Sequence, residues 1–315
     1  MNILEIKDNK NGIVKKHQQL IRNARYSLSE LGIKVVSCLI AMVRIDDTDF
    51  QEYNLKVQDF KDLVCSNSND IYRQIDTLTN ELMSKPFKIG DEKFNWCYYA
   101  RYHKNDAFVT LKIAPELKPY LLELKNGNFT QYHLENILKL KSSYVIRFYE
   151  LLIDRFKEYR RYKKSNLVFE IKIDYLRETF NIPDSYRYND IKRNIIEKSK
   201  KQFKQKTDIT FDYIEQKIGR RVDRLIITVK ENNKGSNDYL SSLQKFIAYI
   251  RKNYINKDLL IAQDIETKEI YTLSVSKNGI LYDKNGKDFT PQRAKQMWRK
   301  LFDLAKLNKL HILND

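Results

Sequence analysis

Between residues 186 and 205 the chain reads YRYNDIKRNIIEKSKKQFKQ, and its residue types repeat with a helical period. In a helix, Ile191, Ile195, Ile196 and Phe203 fall on one stripe at three- and four-residue spacing, so that stripe is expected to face a core. About the opposite side project Arg193, Glu197, Lys200, Lys201 and Lys204, a solvent face that is cationic with one acid among the bases. Ammonium and guanidinium groups along one face of a short helix suit a groove lined by phosphates. The chemistry in prospect is charge-assisted binding rather than bond making. One basic helix alone is more often a solvated face, so the neighbouring elements decide.

Upstream, residues 174–181 (DYLRETFN) predict a shorter helix, and residues 182–185 (IPDS) a tight break containing Pro183. Helix, short turn and basic helix is the helix-turn-helix pattern. Downstream, residues 209–214 alternate apolar and polar as a strand does, residues 216–223 (QKIGRRVD) turn through Gly219, and residues 225–229 return as a second strand. This hairpin, whose turn carries Lys217, Arg220 and Arg221, is expected to be the wing of a winged helix that has residues 169–173 as its first strand.

The first half repeats the order. Ser27 and Glu30 have capping-box spacing, and a helix is predicted to follow with Leu31, Val35, Val36, Leu39, Ile40 and Met42 as its apolar stripe and Gly32 allowing close packing. A strand over 53–57, helices over 58–64 and 70–83, and strands over 87–89, 95–102 and 107–113 complete a second winged helix. Helical stretches over 116–124, 130–140 and 142–157 make the connection. Beyond a polar stretch (ENNKGSND) come a helix over 239–254, strands over 259–262, 270–275 and 280–282, and a helix over 291–307 opened by Thr290-Pro291. The fold class expected is α+β: a flexible N-terminus (1–14), an N-terminal winged-helix domain (15–125), a C-terminal one (126–230), a linker (231–238) and a small C-terminal α+β appendix (239–315).

Charge narrows the partners. Lys+Arg number 58 against Asp+Glu 41 in 315 residues, a net +17, which calls for a polyanion, nucleic acid before a membrane surface. No apolar run of spanning length and no signal-like segment stands in the sequence, so a soluble cytoplasmic protein is expected. Cys38, Cys65 and Cys97 are odd in number and widely spaced, as reduced thiols rather than a disulfide framework. His17, His103, His133 and His311 are scattered, none in a metal-ligand spacing, and no GxxxxGK[ST] phosphate loop occurs. Asp46-Asp47 and Asp91-Glu92 stand in apparent loops, and Trp96 and Trp298 are expected in cores. No catalytic residue, cofactor or metal is expected.

Several blocks, in order, resemble the bacterial plasmid replication initiators that act at iterons in theta-type replication. They are residues 23–28 (NARYSL), 115–122 (PELKPYLL), 128–130 (NFT) followed by LENILKLKSSYVIRFYELL, and 188–193 followed by Thr207-Asp208 and Gly219-Arg220-Arg221, together spanning roughly Val14 to Val229. The resemblance implies that the C-terminal winged helix reads iteron bases in the major groove, while the N-terminal one contacts the DNA backbone in monomers and forms the dimer interface of a repressing form. By position, Asn189, Lys192, Arg193 and Asn194 become the base-reading candidates. Arg193 leads, because a guanidinium pairs bidentately with guanine O6 and N7. Lys200, Lys201, Lys204, Lys217, Arg220 and Arg221 become phosphate clamps. Implied partners are double-stranded DNA (iterons and an operator inverted repeat), a second copy in a monomer-dimer equilibrium, and a host initiator and replicative helicase. Lys201-Gln202-Phe203 departs from the family's near-apolar helix end. A winged-helix repressor without origin function, and less favourably a strand-nicking enzyme, are the alternatives. The histidine distribution argues against the second.

Overall fold

The computed structural model describes residues 12–44, 47–58, 71–103, 105–124, 128–161, 166–232, 246–247, 250, 259–265, 267–275, 281–282, 291–306 and 310–312. Outside them lie nearly all of the expected N-terminal tail, the expected 58–64 helix past Gln58, Cys65, most of the linker and most of the 239–254 helix. The chain divides into two compact units, Met1–Lys234 and Gly235–Asp315.

The first unit opens with β1 (Ile13–His17), α1 (Gln18–Arg22) and α2 (Glu30–Met42). Ser29, not Ser27, caps α2: its Oγ accepts from Gly32 N at 3.0 Å, while its own N–H and O–H donate to the two carboxylate oxygens of Glu81. Glu30 therefore closes no capping box; it accepts from Lys34 Nζ and from the backbone N–H of Ser142. A Cβ on Gly32 would stand 2.8 Å from Glu81 Oε2, so the close packing expected of this glycine is real. Then come β2 (Tyr53–Lys56), α3 (Ile71–Ser84), β3 (Phe87–Ile89), β4 (Glu92–Phe94), β5 (Cys97–His103) and β6 (Phe108–Ile113), with sheet order β2-β6-β5 and β3-β4 as a separate hairpin. Trp96 is buried against Tyr26 and Phe87, as expected of a core tryptophan.

Two expected helices come out differently. The stretch 116–124 forms a 3-10 turn (Pro115–Leu117) and the four-residue α4 (Lys118–Leu121). The stretch 130–140 is not one helix: Phe129–His133 is strand β7, followed by the short α5 (Leu134–Leu138). In β7 Thr130 and Tyr132 point inward while Gln131 and His133 point out, and the strand pairs antiparallel with β1 from Ile13↔His133 to His17↔Phe129. Those pairing groups lie more than a hundred residues away, where no local period could reveal them.

Helix α6 (Ser143–Arg161) is the hub of this unit. Val145, Ile146, Phe148, Tyr149, Leu151, Leu152, Ile153 and Phe156 are all buried, which leaves it apolar on more than one side. One side meets the first winged helix through Tyr132, and Phe148 on another meets Phe180, Phe203 and Phe211 of the second. Three charges interrupt this surface, each satisfied: Arg147 donates to the carbonyls of Tyr26 and Ala24 at 2.7 Å, Glu150 takes Lys16 Nζ at 2.6 Å and the Tyr132 hydroxyl, and Asp154 takes Arg22 Nε and the Thr130 hydroxyl. The second winged helix follows as β8 (Asn166–Lys172), α7 (Ile173–Phe180), the composite helix α8 (188–206), β9 (Ile209–Ile218) and β10 (Arg221–Glu231), with sheet order β8-β10-β9.

The second unit contains β11 (Leu259–Asp264), β12 (Ile270–Val275), β13 (Leu281–Tyr282), α9 (Pro291–Lys306) and β14 (Leu310–Ile312), with antiparallel order β13-β12-β11-β14. β14 has no counterpart in the sequence expectation. Trp298, Leu301 and Phe302 form the buried stripe of α9.

Candidate nucleic-acid interface

α7 ends where Asn181 enters the left-handed region at φ 52°, and the Ile182 N–H returns to the Arg177 carbonyl at 2.9 Å. Arg177 then donates to the Tyr186 carbonyl at 2.6 Å, bracing the turn before α8. α8 begins when Asp190 accepts from the Arg187 N–H at 3.0 Å. Ile191, Ile195, Ile196 and Phe203 are all fully buried, as the stripe requires.

The helix is not uniformly α. Tyr188–Ile191 and Lys198–Lys206 are α, but Lys192–Glu197 is a π segment. The π hydrogen bonds close over five residues rather than four, which sets Ile196 one such turn from Ile191, and Ile191, Ile195 and Ile196 are all fully buried.

The wing turns at Gly219-Arg220, with Gly219 at φ 61°, a conformation that favours glycine in two-residue hairpin turns. A register shift between Val222 and Arg224 adds local twist behind the tip.

Arg193 is 74% exposed on its side chain and pairs with Asp190 at 2.9 Å; Asn189 is exposed, and Asn194 is half-buried beside Arg193. Lys192 turns toward the wing strand and pairs with Glu215 at 2.8 Å, and Lys200 pairs with Asp212 at 2.8 Å with its ammonium 5.8 Å from the Tyr213 ring. Arg221 reaches Asp174 at the start of α7, at 2.7 Å. Lys201, Lys204, Lys217 and Arg220 are exposed and make no ion pair among the described residues. Glu197, the one acid on the helix face, accepts from the Tyr213 hydroxyl at 2.5 Å. The lysine hydrogen bonds hold the Glu215 and Asp212 carboxyls below their ordinary range, and Glu215 pushes Lys192 up. Four carboxylates that the residue pattern did not single out, Asp174, Asp190, Asp212 and Glu215, thus sit on cations that it did. Two of these pairs join α8 to β9, a proximity that sequence spacing does not encode.

Among the described residues no group of three or more His, Cys, Asp or Glu could hold a metal ion, and no helix is long and apolar enough to cross a membrane. What the second winged helix presents is a buried stripe holding a helix whose outer side is basic, next to a basic hairpin tip.

Comparison with protein families matches residues 13–153 to "Initiator Replication protein, WH1" and residues 172–229 to "Initiator Rep protein, WH2". The chain belongs to the plasmid replication initiators. The two matches fall on both winged helices of this initiator, the second from the end of β8 to near the end of β10, and stop before the second compact unit. Among solved structures the initiator is similar to one described as "Crystal structure of Pi initiator protein in complex with iteron DNA", at 18% identity and TM-score 0.57, over 70% of this chain and 98% of that one. At that identity the likeness speaks for the fold, and the shared fold is the tandem winged helix.

Proposed function

We propose that this initiator binds direct-repeat iterons at a plasmid origin through the second winged helix, α8 reading bases and the wing fastening phosphates. The observation that carries the proposal is the position of Arg193, exposed in the first turns of a helix whose opposite stripe is buried, within a chain matched to the initiator winged helices. The solved Pi initiator was crystallised with iteron DNA, which supports the same use of the shared fold. In this proposal Asn189, Lys192, Arg193 and Asn194 face base edges, while Lys200, Lys201, Lys204, Lys217, Arg220 and Arg221 hold backbone. Binding energy offsets the deformation of adjacent AT-rich duplex without nucleotide hydrolysis. The first winged helix supplies backbone contacts in the monomer and the interface of a dimer that represses its own promoter, and the DNA-bound form recruits host initiator and helicase. A footprint of the purified protein on the DNA flanking its gene, at stated salt, tests this. Protection of phased direct repeats beside an AT-rich tract is the expected result, and protection of a lone palindrome would leave a repressor without origin function. Supercoiled origin DNA incubated with a divalent metal should yield no nicked circle.

A further inference from the structure

Four of the ten candidate contacts with DNA are held by carboxylates in this structure. Both charged base-reading candidates are paired, Lys192 with Glu215 and Arg193 with Asp190, as are Lys200 with Asp212 and Arg221 with Asp174. The cations without a partner among the described residues, Lys201, Lys204, Lys217 and Arg220, are all backbone-clamp candidates. Glu215 and Asp212 both lie on the wing strand β9, so two of the tethers cross from α8 to the strand beside it.

We infer that Asp212 and Glu215 are specificity-setting residues, which keep Lys200 and Lys192 off arbitrary phosphates until the correct site offers contacts good enough to displace them. The inference rests on DNA engaging this face, as proposed above. Both lysines are about 40% exposed; Asp212 is exposed as well, which makes its pair weak, while Glu215 is half-buried and stays in place when Lys192 swings from it to a fitting base edge. A loosely fitting phosphate on random DNA offers little more than the carboxylate already supplies, and each tethered lysine then releases no DNA counterion. Removing the tether adds a backbone contact to the random complex, where none existed. In the cognate complex it changes only the small cost of breaking the pair. The ratio between the two affinities therefore falls.

The test compares Asp212→Asn, Glu215→Gln and Glu170→Gln in the full chain. Glu170 pairs with Arg224 on the same winged helix at 2.8 Å, so its amide makes the same change in net charge without freeing a candidate contact. The readout is the dependence of binding on salt for random duplex and for the footprinted repeat. Asp212→Asn and Glu215→Gln are each expected to tighten random-duplex binding several-fold and to steepen its log-log salt slope by about 0.9, while Glu170→Gln leaves the slope unchanged. Equal effects in all three variants would reduce the result to net charge and overturn the inference. So would unchanged slopes in Asp212→Asn and Glu215→Gln. A wild-type protein that does not prefer the repeat over random duplex would instead remove the proposed function itself.

Discussion

Arg193 and Lys201 stand on the same helix but should fail differently when truncated. Arg193→Ala should weaken binding to the repeat by about 1–3 kcal/mol and relax preference at one base position, because a bidentate contact to a base edge carries sequence information. Equal losses on repeat and random duplex in a competition titration would make Arg193 a phosphate contact. Lys201→Ala and Arg220→Ala should instead lower affinity about equally on both DNAs and flatten the salt slope by roughly 0.9 each. The same residues bear on pH. Asp212 and Glu215 have folded pKa values depressed by their lysines, so whatever their pairs contribute to stability is fully present above the ordinary carboxylate value near 4 and is lost as pH falls through the depressed value. None of the four histidines lies on α8 or the wing. Binding measured between about pH 6 and 8 at constant salt should therefore be flat, and a titration in that window would implicate a group outside this face.

At the level of elements, α6 couples the two winged helices. Its charges explain the blocks that carry the family resemblance better than DNA contact does: Arg147 holds the Ala24 and Tyr26 carbonyls of the NARYSL block and lies 3.8 Å over the Tyr26 ring. Arg25 from the same block pairs with Glu178 of α7, and the Tyr175 hydroxyl donates to the Arg22 carbonyl. Lys16 and Glu150 are exposed by only 1% and 2%, so Lys16→Met would leave a carboxylate buried with two tyrosine hydroxyls and no counter-charge. A loss of about 3–5 kcal/mol in urea unfolding is expected. Lys16→Met combined with Glu150→Leu should recover much of it, whereas an equal loss in both variants would mean that packing rather than charge is at stake.

Across the whole molecule, most of the architecture follows from local period. The 3.6-residue stripe of α8, the alternation of β9 and the Gly219 turn are properties of adjacent residues, and together they specify the second winged helix and the basic side of its helix. The net +17 pointed to a polyanion for the same reason, since charge sums without regard to fold. Two features are set by distant partners. The β1-β7 pairing joins segments more than a hundred residues apart, and Ser29 is selected as a cap by Glu81 across the first winged helix. The carboxylates on Lys192 and Lys200 belong with these. Residue order alone established which groups could meet a phosphate, since type and periodicity are written in adjacent positions. Only the folded chain decided which of them are already engaged, because an ion pair is a matter of a few ångströms in space and the strand that supplies the acid is brought to the helix by the core between them.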